Sequence, residues 1–368
     1  MHQEIEVVVA DRVAPEESGI PFVAVDLAQP ETLEAALTGA DTVINTAGPF
    51  DRWGATVLDV AIELGVDYID VCDDPEPTLE LLDRNDAAQA RGVRAIVGLG
   101  VSPGLTNFLA MIAAQRLDTA DLLTTFWGDP AEGMGRDQAV AQAAALASSF
   151  EAGRAAYTHL IVQTSSEVPV WRSHALTREQ AWLRAYRVTT AAGETGVYRV
   201  IGHPEPVTLP ATLDVGDCLN IGTVNAGTDS LMLPVLARVA AGEIEAEEAI
   251  AEIASQLRGH PERIMTERVG DALPRNLGAA AVGSKGGVPD GVIVFPGGPL
   301  DGSMSLETAR PAVVGALLLT KVQPGVHAPE TAFDAETYLA YYSRCYWGGE
   351  PAYRVDSAGA EAVKEVLS

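Results

Sequence analysis

The first hundred residues alternate two patterns of apolar positions. Short runs at Ile5–Ala10, Pro21–Val25, Thr42–Asn45, Tyr68–Val71 and Ala95–Leu99 are continuously apolar, which predicts strands buried on both faces. Between them, Glu31–Leu37, Ala55–Leu64 and Pro77–Ala90 repeat their apolar residues at helical spacing. Strands alternating with helices of this length predict a parallel sheet with helices on both faces. Gly65 and Gly92 stand where two of the helices must stop, at the position that favours a left-handed backbone. Ser102-Pro103 reads as a further helix start, running to about Leu117, with serine as the cap and proline as the first helical residue.

From about Asp118 the texture changes. Strand-like runs at Leu122–Trp127, Leu160–Thr164, Tyr186–Thr190, Gly196–Ile201 and Gly291–Phe295 are separated by long stretches, either helical or rich in Gly and Pro. Helices are predicted at Asp137–Ala156, Asp229–Ala241 and Ala246–Leu257, and the mixture predicts an α+β unit with a more antiparallel sheet. After Gly302 a strong helical pattern returns at Glu307–Leu319. The expected division is an α/β unit of dinucleotide-binding type over 1–117, an inserted α+β substrate and dimerisation unit over 118–302, and a helical segment over 303–368 that returns to the first unit.

Composition narrows the function. With 47% hydrophobic and 20% charged residues in 368, a large core is expected and disorder is not. Fifty-one acidic residues against 24 basic ones leave a net charge of −27, which repels phosphate backbones and anionic membranes alike. Cys72, Cys218 and Cys345 are too few and too scattered for a disulfide framework or a structural zinc site, which suits a reduced, cytoplasmic setting. No apolar run is long enough to span a membrane, and the polar start Met1-His2-Gln3-Glu4 does not read as a signal peptide.

Four stretches at predicted strand ends carry candidate chemistry. Asp11 and Arg12 end the first strand, where an acid accepts hydrogen bonds from a cofactor ribose and an arginine pairs with a 2′-phosphate; the pair leaves NAD and NADP both open. The small residues of Asn45-Thr46-Ala47-Gly48 let a ligand approach the backbone. Asp70, Asp73 and Asp74 are close enough to repel, which predicts one carboxyl protonated near neutral pH and able to exchange protons. The turn Gly98-Leu99-Gly100-Val101-Ser102-Pro103-Gly104 puts a helix start beside the other strand ends, with exposed amides suited to an anionic or carbonyl ligand. A glycine-rich G-x-G-x-x-G turn, which would hold the pyrophosphate, does not precede Asp11, so weak binding of NAD(P) is expected of this chain.

The stretch from Asn45 to Asn107 resembles the saccharopine dehydrogenase family, in its NADP-binding, saccharopine-reductase-like branch. The likeness runs through Asn45-Thr46-Ala47-Gly48-Pro49-Phe50, Gly65-Val66-Asp67-Tyr68-Ile69-Asp70 and Gly100 to Asn107. It continues in Gly202-His203-Pro204-Glu205-Pro206 and in Ala309-Arg310-Pro311-Ala312, followed by Pro329-Glu330 and Phe333-Asp334. The resemblance implies a Rossmann-type domain, here truncated at its N-terminus, with an inserted second domain. It also implies NADP or NAD as cofactor, hydride transfer at a C–N centre of an amino-acid-like substrate, and a homodimer. On that reading Asn45, Thr46, Gly48 and Gly100 lie under the cofactor with Asp11 and Arg12. Asp73 handles the proton, with Asp70 second, and His203 lines the pocket. Arg199 or Arg310 pairs with a substrate carboxylate. Two alternatives stand beside it: a non-catalytic, ligand-sensing homologue, and an enzyme acting on a polyamine, whose pocket would be acidic.

Overall fold

The computed structural model of the chain describes residues 5–15, 19–128, 135–152, 154–224, 226–265, 273, 276–300, 303–349 and 351–366. The N-terminal unit runs β1 (Val9–Asp11), β2 (Phe22–Ala24), α1 (Pro30–Leu37), β3 (Thr42–Asn45), α2 (Phe50–Leu64), β4 (Asp67–Asp70), α3 (Pro75–Leu82), α4 (Asn85–Arg91), β5 (Arg94–Ile96) and α5 (Leu105–Ala114). The middle runs β6 (Thr119–Gly128), α6 (Arg136–Ala152), α7 (Arg154–Ser165), β7 (Glu167–Arg172), β8 (Ala175–Gln180), β9 (Ala185–Thr189), β10 (Thr195–Val200), α8 (Glu205–Thr208), β11 (Val215–Thr223), α9 (Ala226–Ala240), α10 (Ala246–Gly259), β12 (Leu277–Lys285) and β13 (Val288–Pro296). The chain ends with α11 (Met304–Leu318), β14 (Gly325–His327), α12 (Pro329–Ala332), α13 (Ala335–Tyr346), β15 (Tyr353–Asp356) and β16 (Val363–Val366).

The α/β expectation holds. β3, β4, β5 and β14 form a parallel sheet in the order β14-β5-β4-β3, and register sets Asn45 beside Asp70 at one edge. β1 and β2 make a separate parallel pair. Helix α2 repeats its apolar face at Phe50, Val57, Leu58, Ala61 and Ile62, all buried, and stops at Gly65 in the left-handed conformation. These side chains share a core with Tyr68, Val93, Ala95 and Val326 on one face of the sheet. Burial of each of the larger ones, such as Phe50, Val57, Leu58 and Ile62, contributes about 1.5–3 kcal/mol. On the other face Ile69, Ile96 and Leu99 join α5, α11 and α13 in a core that continues onto the second sheet through Leu123, Ala279 and Val294. Helix α5 is thus shared by the two units. Among the described residues no helix is long and apolar enough to cross a membrane.

The second sheet has the path β15-β13-β12-β6-β11-β10-β9-β16, with β7 attached at β11 and β8 at β7, and among the described residues only β6 and β11 of this sheet pair in parallel. Its ends correct the expectation that all of 303–368 returns to the first unit. Helix α11 and β14 do return, but β15 pairs with β13 and β16 with β9. These two short strands cover edges whose backbone donors and acceptors would otherwise lack partners. The expected boundary at Gly302, like the start Met1–Glu4, falls outside the described residues.

Three local expectations are also corrected. Pro77–Ala90 is two helices, α3 and α4, with the Arg84 guanidinium holding the bend to Asp59 at 3.3 Å and Glu80 at 3.1 Å. Leu160–Thr164 is not a strand but part of α7. Helix α5 begins at Leu105 rather than Ser102, because the preceding backbone folds into a tight loop. There the Gly100 amide donates to the Pro103 carbonyl, and Asn107 Oδ1 accepts from the Gly104 amide at 2.8 Å.

Gly104 has φ +121°, and a Cβ there would lie 2.0 Å from the Gly100 carbonyl oxygen. Gly104→Ala should therefore cost more than about 3 kcal/mol. Gly65→Ala, at φ +75° with open space around it, should cost only about 1–2 kcal/mol. Urea unfolding of both variants checks the ranking, and equal losses would refute it.

Candidate functional site

The end of β4 is built around a buried carboxylate. Asp70 accepts from the Cys72 amide at 3.0 Å and the Gly98 amide at 2.6 Å through Oδ1, and from the Tyr68 hydroxyl at 2.8 Å through Oδ2. Asn45 donates in turn to the Tyr68 hydroxyl at 3.1 Å and accepts from the Ala47 amide at 3.0 Å. Burial pushes the Asp70 pKa up to about 6, against the pull of those donors. Its oxygens are spent on the protein, so Asp70 fastens strand ends and is not the second proton-handling group expected from the sequence.

Beyond Asp70 the chain presents Asp73 and Asp74 to the second unit. His159 of α7 reaches between them, with Nδ1 2.7 Å from Asp74 Oδ1 and Nε2 3.5 Å from Asp73 Oδ2. Gln163, one helical turn later, donates to the same Asp74 oxygen at 3.1 Å. This spacing of four explains why the apolar run around Ile161 is helical: only a helix brings both side chains to one carboxylate. Burial opposes charge on His159, but Asp73 and Asp74 outweigh it and hold its pKa at about 9. Burial raises the Asp74 carboxyl and His159 lowers it further, so it ends below its ordinary value. The expected repulsion among the three aspartates is thus relieved by a histidine. Asp74 occupies the N-cap position of α3 without capping it through its side chain.

His203 completes the cluster. Its ring lies 5.5 Å from that of His159, at 79°, and 5.3 Å from Trp127. Its Nδ1 is 3.5 Å from both Glu205 Oε2 and Ser102 Oγ. Glu205 is fully buried, and its Oε1 accepts from Ser102 and Thr106 at 2.7 Å and from Asn220 at 3.0 Å. Burial raises its carboxyl pKa, but His203 and these donors bring it below the ordinary value. Strand ends of the first unit and α7, α8 and β11 of the second therefore meet in one polar cluster.

The other sequence-selected residues fall elsewhere. Asp11 and Arg12 are exposed at the end of β1, and Thr46 and Gly48 are exposed after β3. Gly100 is buried, and the amides of Gly100, Gly104, Leu105 and Thr106 are all bonded internally, which removes the expected anion cradle. Arg199 pairs with Asp229 at 3.3 Å, and Arg310 with Glu307 and the face of Tyr346. Both guanidiniums are thus tied into the fold. Sequence reasoning missed His159, Gln163 and the role of Glu205. The polar pair at positions 159 and 163 inside an apolar run was the available signal for the first two.

A parallel sheet whose strand ends meet a largely antiparallel second sheet across a polar cluster has the two-domain architecture of Rossmann-type dehydrogenases. Residues 1–96 match the saccharopine dehydrogenase NADP-binding domain, which bears out the resemblance read from the sequence. In fold the chain is similar to saccharopine dehydrogenase (L-Glu forming) from Saccharomyces cerevisiae, with a TM-score of 0.59 and 13% identity over 96% of this chain and 95% of that one. Shorter stretches resemble curated proteins. A trans-acting enoyl reductase of Mycobacterium ulcerans is 36% identical over 63 residues, 17% of this chain and 15% of that protein. A putative trans-acting enoyl reductase of Mycobacterium tuberculosis is 29% identical over 107 residues, 28% of this chain and 26% of that protein. The matches thus span about a quarter or less of those relatives' length.

Glu330 supplies a pH test of the fold beside the cluster. It is buried and accepts from Asn107 Nδ2 at 2.8 Å. Burial pushes its pKa up to about 7, with Glu205 adding to the rise and Thr208, Asn107 and its own amide opposing it. A raised acid contributes stability that is full below its unfolded pKa and is lost as pH rises through about 7. Glu330→Gln should therefore gain on the parent between pH 5 and 8.5, by on the order of 1–3 kcal/mol. Thermal unfolding across that range measures it; a difference independent of pH would overturn the assignment.

Proposed function

We propose that the chain is an NAD(P)-dependent oxidoreductase that transfers hydride at a carbon bearing nitrogen in an amino-acid-like substrate. One observation carries the reading. The Asp73–His159–His203 cluster stands at the strand ends of a sheet that matches an NADP-binding domain, where ligands of open α/β sheets bind. The exposed, small-residue turn at 46–48 and the exposed Asp11-Arg12 suit a cofactor lying across these strand ends; the internally bonded turn at Gly100 does not. When bound, the nicotinamide supplies the redox chemistry. The chain's part is to orient the reactants and to hold a proton between the buried His159 Nε2 and the partly exposed Asp73 carboxylate 3.5 Å away, with Asp73 exchanging it with a substrate amine.

The acidic character of the cluster supports an amine substrate, and the family resemblance adds the expectation of a homodimer acting on a small molecule. A second reading comes from the enoyl reductase relatives: hydride delivered to a carbon–carbon double bond conjugated to a carbonyl. It uses the same cofactor side and needs no amine site.

Two assays decide. Oxidation of NADPH or NADH is followed with a 2-oxo acid and an amine, and separately with an unsaturated thioester. Turnover of the first pair alone is expected; turnover of the thioester alone, or of neither, would displace the C–N reading. Asp73→Asn should lower turnover about 10²–10⁴-fold while changing cofactor affinity little. A variant turning over at the parental rate would remove Asp73 from the chemistry.

A further inference from the structure

Gly202, the residue before His203, is a glycine for want of room. Its backbone is not left-handed, so conformation does not call for glycine there. A Cβ built on it would collide with Gln163 Oε1 and lie 2.9 Å from Gln163 Cδ and 2.7 Å from Val168 Cγ1. The buried Gln163 side chain therefore packs directly against Gly202, and the Gly202 amide donates to the Gln163 carbonyl at 3.1 Å. From that seat Gln163 Nε2 reaches Asp74 Oδ1 at 3.1 Å, the same oxygen that faces His159 Nδ1 at 2.7 Å. The last torsion of an aspartate is soft and two-fold, so one hydrogen bond fixes it poorly and a second partner from another direction fixes it well. A carboxylate fixed on Nδ1 sets the tautomer and the aim of an imidazole. Here it turns His159 Nε2 toward Asp73 Oδ2, 3.5 Å away.

We propose that Gln163 and Gly202 are positioning residues: Gly202 leaves the space that Gln163 needs, and Gln163 holds Asp74 on Nδ1 so that Nε2 of His159 stays turned to Asp73. Gln163 lies on α7 with His159, and Gly202 lies in the stretch that carries His203, so their contact also sets the spacing of the two imidazoles, 5.5 Å between ring centres. The titratable groups that bear on His159 are Asp73 and Asp74 from the loop after β4 and His203 beside it, with Glu205 behind His203. Of these, Asp74 alone hydrogen-bonds Gln163 among the described residues, so a change at Gln163 reaches His159 through that one carboxylate. The inference rests on the reading of His159 as the group that holds the proton, and adds how the fold keeps it aimed.

The test reads the imidazole itself, not turnover. Full-length protein, isotope-labelled at the histidine ring nitrogens, is titrated by NMR, with the His159 signal assigned from the spectrum of His159→Gln. In the parent, His159 should lose its proton near pH 9. Gln163→Met keeps the length of the side chain and removes the donor, and should bring that midpoint down by about 1 pH unit or more. Gly202→Ala should act in the same direction by displacing the amide. The two are coupled, so adding Gly202→Ala to Gln163→Ala should lower the midpoint little beyond Gln163→Ala alone. Gln163→Ala creates no clash and suits a helix, so it is expected to fold and keeps the test open if Gly202→Ala does not. A parental midpoint near the ordinary histidine value would overturn this inference together with the proton-holding reading. A parental midpoint near 9 that neither Gln163→Met nor Gln163→Ala moves would overturn the positioning role alone and leave Gln163 as packing. Equal shifts from Gly202→Ala with and without the Gln163 side chain would do the same for the pairing of the two residues.

Discussion

The buried carboxylate of Asp70 is the constraint on which this site depends. Taking an ionised carboxylate out of water costs several kcal/mol unless donors replace its hydration. Here two amides and a phenol do so, and each comes from a place that must stay put. Gly98 belongs to the turn after β5, Cys72 to the loop after β4, and Tyr68 is linked to Asn45 at the end of β3. A single polar chain thus fastens the ends of three adjacent parallel strands. The loop carrying Asp73 and Asp74 leaves the sheet from this fixed point, which is why a helix of the other unit can meet it at hydrogen-bond distance.

The junction between the units follows the same logic at two further hubs. Asp74 is met by His159 and Gln163 of α7, and Glu205 by Ser102 and Thr106 of the first unit and Asn220 of the second. Removing one partner from such a buried pair typically costs about 3–5 kcal/mol, because the remaining charge is left uncompensated. These contacts are directional where the surrounding core of α5 is not. The apolar core holds the units together, and the carboxylates set their register.

Much of the first unit was legible because its order is local. The strand Thr42–Asn45 and the stop at Gly65 follow from apolar runs and one left-handed position. The second unit was less legible because its strands depend on neighbours. Leu277–Lys285 is rich in Gly and Ala, and in Val215–Thr223 two glycines, Asp217 and Asn220 interrupt the few strand-favouring residues, so neither stands out as a strand by itself. Leu277–Lys285 is a strand because it lies between β6 and β13 and its small Ala279 and Ala281 share the core of α5. Of the site, the aspartates and His203 were visible as residue types in suggestive places. Which aspartate faces the cluster was not, since that depends on His159, some 85 residues away.

The cluster's charge balance connects its possible occupants. Asp73, Asp74 and Glu205 supply three carboxylates, and among the described residues their ion pairs are made by His159 and His203 alone. The arginines that would answer a substrate carboxylate are committed to Asp229 and Glu307. With His159 charged, the three acids are only partly neutralised, and Asp74 and Glu205 are too buried for water to complete the work. A poorly solvated excess of negative charge favours a cationic group beside it. It disfavours an anionic group at the same spot. On the proposed C–N oxidoreductase reading, the substrate would therefore meet this cluster by its amine end rather than by its carboxylate.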